Sequence, residues 1–112
     1  METTRQNKIA RLIQKDLGMI FQSQGRNLFG SAMITVTKVH VAKDLSVARI
    51  YLSLFGVKDK EALLGDVRSH TRVIRRELGN REHNQLRIIP ELQFYMDDSL
   101  DYIDNIDQLL HQ

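Results

Sequence analysis

The chain has 112 residues, of which 42% are hydrophobic and 27% charged, with a net charge of +2 and no cysteine. This length predicts one compact domain, residues 1–112, with a small core, and the lack of cysteine excludes disulfides and thiolate metal centres. No apolar run is long enough for a signal sequence or a membrane span, which predicts a soluble cytoplasmic protein with no membrane partner.

The charge is unevenly spread. Residues 97–112 contain five acids (Asp97, Asp98, Asp101, Asp104, Asp107) and no Lys or Arg, so residues 1–96 hold sixteen bases against nine acids, a balance of +7. A basic body suggests a polyanionic partner. The alternative is an ordinary solvated surface with one acidic helix.

In chain order, Thr3 or Thr4 can cap a first helix to about Phe21. Ile9, Leu12, Ile13, Leu17 and Ile20 form its apolar stripe, and Lys8, Arg11 and Lys15 share another side. Residues 22–32, punctuated by Gly25 and Gly30, read as a loop pinned by Leu28 and Phe29. A first strand follows from about Met33 to Val41, with a change of phase near Lys38 that suggests a bulge or a strand twisting past the edge of the core. Residues 43–46 turn the chain into a second strand, Val47 to Leu54, which alternates Ala48, Ile50, Leu52 and Leu54 with Arg49, Tyr51 and Ser53. So short a connection requires an antiparallel pair.

Asp59 is a plausible N-cap for a helix reaching Leu78, with Gly79 as its C′ residue. Leu63, Leu64, Val67, Ile74 and Leu78 cluster on one side, opposite Arg68, Arg72, Arg75 and Arg76. Ser69-His70-Thr71 interrupts the stripe, so a break there would give two helices. Residues 80–86 form a polar loop. The third strand is surest after Pro90, where Leu92, Phe94 and Met96 alternate with Glu91, Gln93 and Tyr95. The helical crossover suits a parallel pairing with the second strand. Asp98 or Ser99 then caps a last helix to about Leu110. The order is α-β-β-α(α)-β-α, an α+β domain with a three-stranded mixed sheet.

No catalytic constellation emerges. His40, His70, His83 and His111 have no partner at metal-ligand spacing, and no phosphate loop or nucleophile elbow occurs. Asp101, Asp104 and Asp107 fit a solvated helix face better than a cation site, and Asp97-Asp98 suit helix capping better than paired acids. The arginine face of the second helix remains, with no acid four residues from Arg72 or Arg75. Guanidinium groups match phosphate oxygens, which points to RNA. Tyr51 and Tyr95 could stack on bases, although lateral packing on the sheet is the better reading.

Thr35, Val36 and Val39, then Asp44, Leu45, Ala48, Ile50 and Tyr51, then Ile74, Arg75, Leu78 and Gly79, then Pro90, Glu91, Leu92, Phe94, Asp97 or Asp98, Ser99 and Leu100 stand in an order that resembles the ribosome-binding factor A family. The likeness covers roughly residues 5 to 106. It implies a type II K-homology-like αββααβ fold with an additional C-terminal helix. It implies binding to the free 30S subunit and 16S rRNA in late maturation, 5′-end processing of that RNA, and growth in the cold. It also implies a non-enzymatic role with no cofactor, and a ribosome-associated GTPase as releasing partner. Three departures stand out. His70-Thr71-Arg72 occupy the place of the family's glycine-containing interhelical kink. The loops after Gly79 and before Met33 differ. The chain ends in an acidic stretch where many members carry a basic tail.

The expected RNA contacts are Lys8, Arg11, Lys15, Lys43, Arg68, Arg72, Arg75, Arg76, Arg81 and Arg87. No extra apolar stripe predicts self-association, so a monomer is expected. One rival is an adaptor that docks on ribosomal proteins, which the acidic end would suit. Another is a small nuclease, for which no acid/base pair or metal site is found.

Overall fold

The computed structural model describes residues 3–30, 32–86 and 88–97. The expected last helix and Arg87 lie outside them. The elements are α1 (Thr4–Phe29), β1 (Met33–Val41), β2 (Val47–Phe55), α2 (Lys60–Ser69), α3 (Thr71–Glu82) and β3 (Glu91–Met96). The sheet order is β1-β2-β3, with β1 antiparallel and β3 parallel to β2. The α+β class, the mixed sheet and both strand pairings agree with the sequence reading.

Helix α1 opens on a capping box. The Gln6 amide N–H donates to Thr3 Oγ1 at 3.1 Å, and the Thr3 N–H donates to Gln6 Oε1 at 2.8 Å. The Gln6 Nε2 then donates to the buried Val41 carbonyl at 3.0 Å, tying the helix start to the end of β1. The helix runs eight residues past the expected stop at Phe21, so the loop expected over residues 22–32 is largely helical. Tertiary packing overrides the glycines. Phe29 sits 6.1 Å from Phe21 and edge-on to His70 at 5.4 Å, and the helix ends only at Gly30, whose φ of +70° is left-handed.

The register of β1 against β2 slips between Val36 and Lys38, which leaves Thr37 as the bulged residue. Its hydroxyl lies within hydrogen-bond distance of the Tyr51 carbonyl and the Asp97 carboxylate. In the following turn, Asp44 accepts from Ser46 Oγ and N–H, which lowers its pKa, and Leu45 adopts a φ of 64°.

Asp59 caps α2 by accepting from Ala62 N–H at 3.0 Å. The break falls at His70, as Ser69-His70-Thr71 suggested. Ser69 Oγ donates to the Asp66 carbonyl, Thr71 Oγ1 donates to that of Arg68, and His70 Nδ1 lies 2.7 Å from Asp66 O. Side chains that bond the preceding turn in this way compete with helical continuation. Gly79 is not the C′ residue. It lies inside α3, which ends at Glu82, where the carbonyl accepts from Gln85 and Leu86 N–H at 2.8 Å. Pairing of β3 begins directly after Pro90, with Glu91 N–H donating to Ser46 O at 2.9 Å.

The core is one cluster between the helices and one sheet face. Ile9, Ile13, Leu17 and Ile20 of α1 meet Val41, Ile50, Leu52, Phe94, Val67, Ile74 and Leu78. Burial of side chains of this size stabilises by about 1.5–3 kcal/mol each before entropy is counted.

Candidate nucleic-acid interface

The sheet face away from this core carries two cross-strand rows, His40–Arg49–Gln93 and Lys38–Tyr51–Tyr95. Tyr51 and Tyr95 stack on each other with centroids 5.6 Å apart and ring planes 29° from parallel. Lys38 Nζ lies 6.0 Å from the Tyr51 ring, and the Arg68 guanidinium lies 5.9 Å from the Tyr95 ring. The tyrosines therefore pack laterally, as expected, with cations at both ends. Ser53, expected on an open face, is buried.

The arginines of α2 and α3 are all exposed, yet they fall into two kinds. Arg68 donates from Nε and Nη2 to the Phe94 carbonyl at 3.1 and 2.8 Å. Arg75 donates from Nε to Pro90 O at 3.2 Å and from Nη2 to Ile89 O at 2.6 Å. Arg72 and Arg76, one helical turn apart on α3, make no hydrogen bond or ion pair among the described residues. Thr71, Arg72, Arg75, Arg76 and Ile89 line a hollow of about 580 Å³. A second hollow of about 310 Å³ lies on the other side of Thr71, against Arg68, Leu92, Phe94 and Tyr95. Together they form a cationic groove along the β3 edge.

The other expected contacts stand outside this groove. Lys8, Arg11 and Lys15 are exposed along the outer side of α1, and Lys43 is exposed in the β1–β2 turn. Arg81 is exposed, with Nη1 3.6 Å from Met19 Sδ. Of the kink residues, Thr71 and Arg72 line the groove, whereas His70 turns towards Phe29.

Sequence reasoning missed Glu82. Its carboxyl group is fully buried, and neither oxygen has a hydrogen-bond partner among the described residues. Burial, and secondarily Asp16 on α1, push its pKa up to about 8. Glu82 continues the apolar stripe of Ile74 and Leu78 at intervals of four, but the apparent helix stop at Gly79 hides that signal in the sequence. Among the described residues no group of three or more His, Cys, Asp or Glu could hold a metal ion, and no helix is long and apolar enough to cross a membrane.

An αββααβ chain with a mixed three-stranded sheet and a cationic groove between a broken helix pair and the edge strand defines a class of small α+β domain. The chain belongs to the ribosome-binding factor A family, whose sequence profile matches residues 5–110. Ribosome-binding factor A of Cytophaga hutchinsonii is 46% identical over 110 residues, which cover 98% of this chain and 83% of that protein. The crystal structure of the Thermus thermophilus protein superposes with a TM-score of 0.67 at 24% identity, covering 81% of this chain and 94% of that one. The T. thermophilus factor as fitted into a cryo-EM map of a 30S complex gives 0.62 at 23% identity, covering 80% and 91%.

Proposed function

We propose that this chain is a cytoplasmic, non-enzymatic ribosome assembly factor that binds the free 30S subunit through 16S rRNA. It acts in late 30S maturation and 5′-end processing of that RNA, including during growth in the cold, and a ribosome-associated GTPase releases it. Residues 1–112 form one K-homology-like RNA-binding domain that works as a monomer. The observation that carries this reading is the groove beside β3. There Arg72 and Arg76 present two guanidinium groups with no protein partner among the described residues, on a chain of the ribosome-binding factor A family. Guanidinium groups in that state suit phosphate oxygens, and Lys8, Arg11 and Lys15 add a second cationic stripe.

Sedimentation through a sucrose gradient tests the proposal. The tagged protein should travel with free 30S subunits and be absent from 70S ribosomes. It should also bind extracted 16S rRNA in the absence of ribosomal proteins. Binding to intact subunits with none to the extracted RNA would instead support docking on ribosomal proteins.

A further inference from the structure

Strand β3 lies at an edge of the sheet, and the parity of its hydrogen bonds fixes what that edge offers. The N–H groups of Glu91 and Asp97 donate inward to Ser46 and Leu52 of the β2 side. Odd-numbered residues of β3 thus spend their backbone groups on β2, and those of Pro90, Leu92 and Phe94 point outward into the groove. An unpaired edge of this kind would be a ready partner for the hydrogen-bonding edges of bases. It is not bare. Arg68 spends two donors on the Phe94 carbonyl, and Arg75 spends two on those of Pro90 and Ile89. Pro90 has no N–H to offer, so among the described residues the straps leave the outward N–H and C=O of Leu92 and the N–H of Phe94 as the open backbone groups of residues 90–94.

We infer that Arg68 and Arg75 narrow the β3 edge to the backbone between them, so that the groove responds chiefly to the charge of an RNA backbone and little to the identity of its bases. This rests on the RNA-binding reading above and divides its four groove arginines by task. Arg72 and Arg76 contact phosphate. Arg68 and Arg75 are specificity-determining by exclusion: they occupy the Ile89, Pro90 and Phe94 carbonyls, three of the acceptors through which this edge could tell one base from another. Their charges survive the bonding, because a carbonyl dipole does not neutralise a guanidinium, so both still add to the field that attracts the polyanion. The tyrosines reinforce the outcome. Tyr51 and Tyr95 stack on each other, and Lys38 and Arg68 lie 6.0 and 5.9 Å from the two rings, so a base that stacks here competes with contacts already made. Phosphate contacts position a nucleic acid without reading it.

Fluorescence anisotropy with short homopolymers of U, C and A, at one fixed salt concentration and with the full chain, tests the inference. A single good base contact discriminates by at least about fivefold. The wild-type protein should bind the three homopolymers with affinities closer than that. The R72A/R76A variant should weaken all three by a common factor. R75A, which uncovers the carbonyls of Ile89 and Pro90, should begin to discriminate. R75K keeps the charge but cannot reproduce the two-donor fork, and it should do the same if R75A does not fold. A wild-type preference larger than about fivefold, or folded Arg75 variants that remain indifferent to base, would overturn the inference while leaving RNA binding in place. Failure to bind any homopolymer together with failure to travel with 30S subunits would overturn the functional reading itself.

Discussion

Glu82 sits where the stripe of α3 calls for another leucine, four residues after Leu78, and it is fully buried. Its place in the last turn adds an unfavourable helix dipole to the burial. The consequence for stability has a definite sign. Below the ordinary value of 4.5 the carboxyl carries its proton in both the folded and unfolded states. Above 4.5 the unfolded chain releases that proton while the folded chain keeps it up to about 8, so stability falls as pH rises through this window. Glu82→Gln keeps the shape and removes the titration. Thermal unfolding followed from pH 5 to pH 8 should show a decline in the wild-type protein that the variant largely lacks, with the variant the more stable of the two near pH 8. An identical slope in both proteins would assign the pH dependence elsewhere. Ile74 and Leu78 were recognisable as core from spacing alone, but Glu82 was not, because Gly79 reads as a helix stop before the stripe reaches it.

The same lesson holds for whole elements. The strands were legible to within a residue, since alternation, the four-residue turn and Pro90 each constrain them locally. The bulge at Thr37 showed in the change of phase, the cap at Asp59 in its side-chain chemistry, and the break at His70 in the interruption of the apolar stripe. Helix ends were less legible, because glycines lower propensity by an amount that packing readily exceeds. Helix α1 continues because Phe29 has Phe21 and His70 to pack against, contacts no local rule could supply. Helix α3 continues past Gly79, where an added Cβ would meet Ile89 Cγ1 at 3.6 Å, an ordinary van der Waals distance. Gly79→Ala should therefore stabilise the protein by about 0.5–1 kcal/mol through the unfolded chain and the helix propensity. Were Gly79 the left-handed C′ residue that its sequence context suggests, the same change would destabilise. Urea denaturation decides the sign.

Across the molecule, the sequence showed a basic body but not how its charges are apportioned. Of the expected contacts, Arg68, Arg72, Arg75 and Arg76 converge on one groove, whereas Lys8, Arg11, Lys15, Lys43 and Arg81 lie outside it. Spacing on a helical wheel can place four arginines on a face, but which of them a neighbouring strand engages depends on the β3 carbonyls, and these are brought near only by the fold. Counterion release turns the division into a measurement. Each phosphate neutralised contributes about 0.7 to the slope of log affinity against log salt for single-stranded nucleic acid and about 0.9 for duplex. Removing the two guanidinium groups that have no partner among the described residues, in R72A/R76A, should reduce the slope for 30S binding by about 1.4 to 1.8. If the RNA also spans the outer side of α1, removing Lys8, Arg11 and Lys15 should reduce it further and additively, because the two surfaces share no residue. A slope unchanged by R72A/R76A would mean that the groove holds no phosphate, and the positive field of residues 1–96 would then act only on the rate of encounter.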